Sequence, residues 1–589
     1  STLFPYTTLF RSSLEDLERL MIEQIDQLVA GKWDESILKA AINQQRLSEM
    51  KELESNSSRA MKMVYSYLSG ESWEKTVRMT EEMKKVTKDE LLEFARKTFQ
   101  DNNYIVIRKL QGANAEIEKV EKPAITPIHV NRDAKSEFFK EIEGVEVKPI
   151  EPKFLNYDKD LSKANLKNGA NVLYVQNKEN GRFSLTYRYD FGKLSNKRLG
   201  LLWNYQMYLH PKTSTLTKFE EELYNIACQI TISPSQDYIE ARVEGLSENF
   251  SKALSLFEEL LSNPNIEQST VDNMIKDIQK SRNDAKKNQQ SCLSALADYS
   301  VYGKNGAFYD FIPESELLKI TPQMLIQDIK EATKYSHQIL YYGDLELNNL
   351  VITLNKEHIS SPSKLKAKPN VKLKEKLPTT ENKVYFVHYD AKQSYCRQFN
   401  TSILFDDNLT PIISLYNQYF GGSMNSIVFQ EMREKRSLAY QAQSRFVVPG
   451  RKGMTYQNMS HIATQNDKVI DAFTAFNELF DQMPVSQTNF DLSKDGLISS
   501  IRTGRTTKEG IIYSYLNDMQ KGRKQDGSID IYNKIPSLTI NDVVDFNNKF
   551  IKNKPKTYIV LGNKDQVDLK KLEKFGKVQI LTLEEIFGY

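Results

Sequence analysis

Three segments of this chain follow one layout, and this internal repeat constrains the fold most strongly. In each segment an apolar run ends at a glycine, a threonine then opens an amphipathic helical pattern, and an apolar strand pattern follows. The threonine follows the glycine by 17, 18 and 17 positions. Because the threonines lie 234 and 218 residues apart, each unit belongs to a domain of its own and not to a short solenoid repeat. The pairs are Gly70 and Thr87, Gly303 and Thr321, and Gly522 and Thr539.

The second and third copies are predicted to be complete, with the order ββααββα followed by further helices and a last strand. The second copy is predicted to have strands Asn171–Val175, Phe183–Tyr189, Gln229–Ser233, Tyr238–Val243 and His337–Tyr342, with helices Leu199–Leu209, Lys218–Cys228 and Asn249–Leu261. The third is predicted to have strands Val384–His388, Phe399–Phe405, Leu438–Val447, Met454–Ile462 and Thr557–Leu561, with helices Pro411–Phe420, Asn425–Lys435 and Lys468–Met483. This pattern predicts an α+β fold in which an antiparallel sheet packs against helices in each repeat.

The first copy has only its closing helices and a predicted strand, Tyr104–Ile107. A domain without most of its strands cannot cover its helices, so we expect the chain to begin inside a domain and residues 13–110 to be prone to aggregate. The proline-containing, weakly periodic segments 111–160 and 357–381 are predicted to be linkers. The two complete copies then occupy residues 161–356 and 382–589.

Residues 1–12 do not resemble the rest of the chain. Thr2–Ser12 resembles the translation of a sequencing-library adapter, and Arg11 follows its apolar part, which is the reverse of the order in a signal peptide. We therefore treat residues 1–12 as an adapter-like artefact. Ser13, with Asp16 three positions later, is typical of a helix N-cap, so we expect the native sequence to begin near Ser13.

Charge and hydropathy exclude two kinds of partner. The 80 Lys and Arg residues balance 77 Asp and Glu residues, and a formal net charge of +3 gives no indication of a nucleic-acid surface. No apolar run reaches the ~18 residues that a membrane span needs. Cys228, Cys292 and Cys396 are too few and too far apart for a disulfide framework, and we expect them to be buried thiols.

Residues 420–440 carry the strongest functional signal. Gly421–Gly422 ends one helical pattern, and Arg433 lies near the end of the next, seven positions before Tyr440 on a predicted strand. By composition alone, Glu431–Arg436 is a solvated helix face with ion pairs. As a whole, however, the segment resembles the helix-to-strand passage of the insulinase (pitrilysin) family of zinc peptidases, in the half that grips substrate and holds no metal.

The resemblance implies a chain of four related domains that close as two bowl-shaped halves around a peptide, with zinc held in the first domain. Residues 161–577 are then the non-catalytic half. Arg433 and Tyr440 are implied to donate hydrogen bonds to the substrate backbone and to the oxyanion that develops on the scissile carbonyl. The implied cofactor of the intact protein is zinc. Its implied partners are a peptide or unfolded-protein substrate and an N-terminal catalytic half of the same chain.

The zinc signature of that family, His-x-x-Glu-His on a helix, is absent from this sequence. The two closest histidines are 21 positions apart, so we expect no metal site in this chain. His337 and His388 lie in strand patterns and are expected to be core or edge residues. No Gly-x-Ser-x-Gly elbow or phosphate-binding loop is present, so we assign no catalytic residue. The six histidines are His129, His210, His337, His358, His388 and His461.

Two functions from different classes follow from these observations. In the first, the chain is the substrate-clamping half of a zinc endopeptidase and is inactive by itself. In the second, it is a non-hydrolytic scaffold or partner subunit of the same fold. A separately encoded half that pairs with a catalytic subunit is a third alternative, which the incomplete first copy disfavours.

Overall fold

The computed structural model describes residues 13–99, 104–108, 136–146, 148–439 and 441–589. These residues divide into two units. The first comprises the described residues of Ser1–Leu38 and Glu81–Pro152, and the second comprises Lys39–Thr80 and the described residues of Lys153–Tyr589. The predicted domain boundaries stay a prediction.

The first unit contains helices Leu14–Val29, Lys88–Thr98 and Glu137–Glu143. Helix Lys88–Thr98 begins with a capping box, in which the Thr87 hydroxyl accepts from the Glu90 N–H and the Glu90 carboxylate accepts from the Thr87 N–H. The predicted strand Tyr104–Ile107 is wrong, because described residues 104–108 have no strand partner in the described chain. A strand is stabilised by its hydrogen-bonded neighbours, and an isolated one does not persist.

The remaining described residues form both helices and strands. The helices are Ser36–Leu53, Asn56–Leu68, Trp73–Met83, Leu202–Tyr205, Leu216–Asn225, Phe250–Ser262, Gln268–Ala285, Gln289–Tyr302, Glu314–Leu317, Pro322–Ala332, Leu347–Glu357, Thr410–Phe420, Val469–Asp481, Gln487–Thr503, Gly510–Lys521, Gly527–Lys534, Ile540–Phe550, Leu569–Leu572 and Leu583–Phe587, with a π-helix at Phe429–Lys435. The strands are β1 (Ser162–Asn165), β2 (Asn171–Gln176), β3 (Arg182–Tyr189), β4 (His210–Pro211), β5 (Cys228–Pro234), β6 (Ile239–Leu246), β7 (Pro264–Asn265), β8 (Gln338–Gly343), β9 (Lys383–His388), β10 (Gln393–Leu404), β11 (Gln441–Val447), β12 (Thr455–Gln465), β13 (Thr557–Gly562) and β14 (Lys577–Leu581).

Two six-stranded sheets share one strand order. Sheet 1 is β1-β2-β8-β3-β6-β5, and sheet 2, read from the equivalent edge, is β14-β9-β13-β10-β12-β11. The α+β class is therefore confirmed. The sheets are mixed and not antiparallel throughout, since β2 pairs in parallel with β8, and β9 pairs in parallel with β13 and β14. Parallel pairing follows from the long, helix-containing connection that brings the last strand of each repeat back beside its first.

The three repeat glycines share a positive φ, and the three repeat threonines share the role of helix N-cap. The glycines have positive φ values, which favour glycine and end the preceding helix. Each threonine is an N-cap whose hydroxyl accepts from the backbone N–H three residues later. The φ values are 70° at Gly70, 59° at Gly303 and 80° at Gly522.

The helix that ends at a repeat glycine packs on the sheet of the other repeat. Helix Gly510–Lys521 buries Ile512 and Leu516 against one face of sheet 1, and helix Gln289–Tyr302 buries Leu293 against one face of sheet 2. The opposite face of each sheet packs on helices of its own repeat and forms the two largest cores. Each sheet is therefore covered on both faces over much of its area, which explains its nearly continuous apolar strands.

The segment 357–381 is hydrogen-bonded to the second copy. The Ser360 N–H donates to a Glu258 carboxylate oxygen at 2.8 Å, and the Leu377 N–H donates to the Val301 carbonyl at 2.8 Å. Among the described helices, none combines the length and apolar character that crossing a membrane requires.

Candidate functional site

The predicted helix break at Gly421 and Gly422 is confirmed. Helix Thr410–Phe420 ends at this point, and the φ of Gly421 is −142°, so a left-handed backbone does not require glycine. A Cβ on Gly421 would lie 2.1 Å from the Ser444 carbonyl oxygen of β11, and a Cβ on Gly422 would lie 2.8 Å from the Asn417 carbonyl oxygen. Glycine is needed because the chain passes too close to backbone atoms for any side chain.

The helix that carries Arg433 is shorter and more widely wound than the predicted helix Asn425–Lys435. Helical structure begins at Ile427 and Val428 and continues as the π-helix Phe429–Lys435. Ile427, Val428 and Met432 are buried in the core of sheet 2 and hold this segment in place. Stretches of π-helix are rare and are frequently found at functional sites.

Arg433 packs on an aromatic ring. Its guanidinium carbon lies 4.8 Å from the centroid of the Phe429 ring, which is within cation–π range. Its Nε lies 3.5 Å from Glu434 Oε1, and its side chain is 34% exposed. Because arginine is a permanent cation with a rigid set of N–H donors, this position offers a fixed positive charge at a partly open surface.

Tyr440, the predicted partner of Arg433, lies outside the described residues. Ser437, with a φ of +48°, turns the chain after the π-helix, and the Leu438 N–H donates to a carbonyl of that helix at 3.0 Å. Strand β11 then begins at Gln441, three residues after the predicted start. The pairing of Arg433 with Tyr440 therefore stays a prediction.

Two neighbouring cations fit the alternative interpretation of a solvated helix face. Lys435 Nζ lies 3.1 Å from Glu431 Oε2, and Arg436 Nη1 lies 2.7 Å from Glu478 Oε2. Ion pairs at such open positions contribute about 0–1 kcal/mol to stability. Arg433 differs from both because it is packed against Phe429.

Strand β11, which follows the π-helix, is an edge strand of sheet 2. Near its far end, Asn417 accepts from the Phe446 N–H at 2.8 Å and donates to the Phe446 carbonyl at 3.0 Å. Gln441 and Gln443, near the π-helix, are exposed. Asn417 at Phe446 and Gly421 near Ser444 cover the far part of this edge, which leaves the part next to the π-helix for pairing with an extended peptide.

The described histidines do not fit a zinc ion. His337 Nε2 and His358 Nε2 are 3.0 Å apart, while Glu258 lies 2.7 Å from the other ring nitrogen of His358. The three groups therefore do not converge on one point as tetrahedral zinc ligands would. His337 is buried, and His388 is exposed at the end of β9. In the part of the chain that the structure describes, no group of three or more His, Cys, Asp or Glu residues is arranged to hold a metal ion.

The three cysteines are free and buried, as predicted. Burial raises the pKa of Cys228 to about 12 and that of Cys292 to about 11, and it also raises the pKa of Cys396. Since the thiolate is the nucleophilic form, these thiols are unsuited to catalysis near neutral pH.

Sequence reasoning missed Arg397 and His461 as candidate binding residues. They lie directly opposite each other in β10 and β12. Arg397 falls in the part of β10 that precedes the predicted strand, which began six residues after the observed start at Gln393. The alternation of buried and partly exposed residues from Gln393 onward was the available signal.

Comparisons with known proteins agree with this architecture. Residues 338–497 match the family described as the peptidase M16 inactive domain. The probable inactive metalloprotease YmfF of Bacillus subtilis is 27% identical over 303 residues, which cover 47% of this chain and 70% of that protein.

Two solved structures share the fold. The peptidase M16 inactive domain from Pseudomonas fluorescens has a TM-score of 0.56 and 18% identity, covering 70% of this chain and 98% of that chain. The ferredoxin protease FusC, solved in complex with Arabidopsis ferredoxin, has a TM-score of 0.57 and 11% identity, covering 93% of this chain and 61% of that chain. At these identities the structural likeness shows the fold alone. The family resemblance drawn from the sequence is confirmed by these findings together: residues 338–497 form a domain that matches the peptidase M16 inactive domain.

Proposed function

We propose that this chain is the substrate-clamping, non-catalytic half of an M16 zinc metalloendopeptidase that hydrolyses peptides or unfolded proteins. The observation that carries the proposal is the position of Arg433, a cation packed on Phe429 where the π-helix leads toward an edge strand. A non-catalytic role is supported by the match of residues 338–497 to a domain described as inactive. A protein ligand is supported by the neighbour FusC, which was solved with ferredoxin.

The clamp combines two kinds of contact. The backbone of β11 pairs with an extended peptide, and Arg433 and Tyr440 donate hydrogen bonds to one of its carbonyl groups. When negative charge builds on that oxygen during hydrolysis, both hydrogen bonds strengthen. The zinc ion of the intact enzyme belongs to the other half, and the chain by itself binds peptide without cutting it.

A fluorescence-anisotropy titration tests the clamp. The full chain is purified as a monomer by gel filtration and titrated into a fluorescein-labelled, uncharged peptide of about ten residues. The Arg433→Gln variant should bind the peptide about tenfold or more weakly, because it loses a charge-assisted hydrogen bond. Tyr440→Phe should weaken binding less, since it removes one neutral donor.

Arg436→Gln is the matched control for this titration. It removes the same charge three residues away, at a side chain that is paired with Glu478. The proposal requires the control to bind like the unsubstituted chain. If Arg433→Gln and Arg436→Gln lose affinity equally, the loss reflects the lower positive charge and not a specific contact of Arg433. If the chain binds no peptide at all, the clamp is refuted.

The second candidate, a non-hydrolytic scaffold of the same fold, is favoured by the relative YmfF, which is described as probably inactive. The coding frame upstream of the Ser13 codon distinguishes the two. An intact His-x-x-Glu-His motif there supports the endopeptidase. A homologous frame with altered ligands, or an intact purified protein without bound zinc, selects the scaffold.

A further inference from the structure

One face of sheet 2 carries cations without any acid. On the side that faces helix Gln289–Tyr302, four rows that pair across β10, β12 and β11 present twelve side chains, which we call the acid-free face. None of them is Asp or Glu, and three of them are Arg or His. The members are Tyr395, Arg397, Phe399, Thr401, Gln441, Gln443, Arg445, Val447, Gln457, Met459, His461 and Ala463.

One row of this face runs across four strands. Ile559 in β13 pairs with Arg397, Arg397 pairs with His461, and His461 pairs with Gln443. The row begins at a fully buried apolar residue under helix Gln289–Tyr302 and ends at an exposed glutamine. Arg397 and His461 therefore lie where the covered part of the sheet gives way to an open surface.

Both central residues of the row have polar atoms without partners. Within the described residues, the buried Nε of Arg397 and the buried Nδ1 of His461 have no hydrogen-bond partner. Burial lowers the pKa of Arg397 below its ordinary value, with no carboxylate to oppose the effect. Burial, and then the Arg397 charge, lower the pKa of His461 to about 4. Buried cations and donors of this kind are costly unless an anion pairs with them.

Sheet 1 offers a comparison within the same molecule. Its equivalent row is Leu340, Thr186, Arg242 and Thr231, so Arg242 takes the place of His461. The guanidinium of Arg242 bonds to Glu244 at 2.8 Å and to Glu509. Burial alone would lower the pKa of Arg242, but Glu509 and Glu244 raise it above its ordinary value.

Other arginines on the same side of sheet 1 are also paired with acids. Arg182 Nε lies 2.6 Å from Glu54 Oε1, and Arg188 Nη1 lies 2.6 Å from Glu240 Oε1. The two repeats thus share a row of donors on the same side of the sheet, and only sheet 1 supplies its own carboxylates from the described residues. The position that Glu509 and Glu244 fill in sheet 1 has no described acid in sheet 2.

We propose that Arg397 and His461 form a binding site for a carboxylate of the clamped peptide, either an acidic side chain or the C-terminal carboxylate. This inference rests on the proposed function, because it names the class of substrate that the clamp prefers. The planar Arg397 guanidinium pairs with both carboxylate oxygens, and His461 donates to the same group after taking up a proton. Phe399 and Met459, in the next row, offer apolar contacts to neighbouring peptide side chains.

Three uncut peptides of one length, which differ only in the groups named next, test this site by anisotropy with the full chain. The first has a central Glu pair and an amidated C-terminus, the second has Gln in place of Glu and an amidated C-terminus, and the third is the Gln peptide with a free C-terminal carboxylate. Arg397→Gln should weaken the first or the third about tenfold or more, and the second less than twofold. Loss confined to the first identifies an acidic side chain, and loss confined to the third identifies the peptide terminus.

Arg502→Gln is the matched control, because Arg502 bonds to the Tyr532 hydroxyl elsewhere in the same repeat. It should change none of the three affinities. Equal effects of Arg397→Gln on all three peptides, or no effect on any, would overturn the carboxylate site. If the peptides still bind and Arg433→Gln still weakens them, the clamp stands and only this inference fails; if no peptide binds, both fail.

Thermal unfolding shows whether Arg397→Gln merely damages the fold. Because Arg397 has no described acid partner, its neutralisation leaves no carboxylate unpaired and should keep or raise the unfolding temperature. Arg242→Gln, which removes the cation that pairs with Glu509, should lower it. A lower unfolding temperature for Arg397→Gln would show that the residue is paired in the native protein and would contradict the site.

Discussion

At the residue scale, Gly421 has less room for a side chain than its neighbour Gly422. A Cβ there would lie 2.1 Å from the Ser444 carbonyl oxygen, so β11 or the chain at Gly421 must move to accept it. We expect Gly421→Ala to lower the free energy of unfolding by about 1–3 kcal/mol, the usual cost of overpacking. Urea denaturation measures this change. In the control Gly450→Ala, whose Cβ meets nothing within 4 Å, the change should stay within ~0.5 kcal/mol.

A buried hydrogen-bond chain in the second copy joins Tyr187, Glu258, His358 and His337. Glu258 accepts from the Tyr187 hydroxyl at 2.5 Å and from His358 Nδ1 at 2.7 Å, His358 and His337 share one bond, and His337 Nδ1 donates to the Tyr335 carbonyl at 2.9 Å. All four side chains are buried, so the network has little contact with water.

This network predicts a pH-dependent stability. Burial, and then the His358 charge, lower the pKa of His337 to about 4, compared with 6.5 in the unfolded chain. Between pH 4 and pH 6.5, His337 therefore binds a proton in the unfolded chain but not in the folded chain. Acidification from pH 6.5 to pH 4 should therefore lower the free energy of unfolding by roughly 3 kcal/mol through this group.

Urea denaturation at several pH values measures that slope. In the His337→Gln variant, the free energy of unfolding should depend less steeply on pH, by the contribution of about one proton. In the control His388→Gln, at an exposed position, the slope should match that of the unsubstituted chain. An unchanged slope in His337→Gln would contradict the assignment. His461, whose pKa is also about 4, should maintain part of the slope in every variant.

At the element scale, the first repeat helix differs from the other two in exposure. Val64, Ala297 and Leu516 each lie six residues before a repeat glycine. Leu516 is 8% exposed on sheet 1, whereas Val64 is 44% and Tyr67 is 84% exposed on helix Asn56–Leu68. An exposed apolar face of this kind promotes association.

Lysine substitutions on that helix test the expected aggregation. The Val64→Lys, Tyr67→Lys double variant should self-associate less in sedimentation velocity and keep its free energy of unfolding within ~0.5 kcal/mol, because both side chains are exposed. Leu516→Lys, at the equivalent buried position, should destabilise the fold by about 3 kcal/mol or more. Unchanged association of the double variant would show that this face is not the one that aggregates.

Local signals in the sequence predicted the elements best. The caps at Thr87, Thr321 and Thr539 depend on residues within one turn, and they were predicted correctly. The parallel pairing of β9 with β14 depends on contacts between distant segments, which no local pattern records. The start of the π-helix depends on the burial of Ile427 and Val428, which is likewise a tertiary effect.

At the scale of the whole second unit, two sheets with one strand order are each covered by a helix of the other repeat. The sequence repeat predicted both sheets. It did not predict that each sheet is covered by a helix of the other repeat, because an apolar helix face does not indicate which sheet it packs on. Arg433 was found because it lies in one continuous segment. Arg397 and His461 were not, because their proximity depends on the register of strands about 60 residues apart.

Hydrogen–deuterium exchange of the full chain, with and without a saturating unfolded peptide, tests the peptide clamp most directly. The account predicts slower exchange in residues 427–447, which include the π-helix and edge strand β11, and no change in β5, the equivalent edge strand of sheet 1. Equal protection of both edge strands, or protection confined to other parts of the chain, would contradict it.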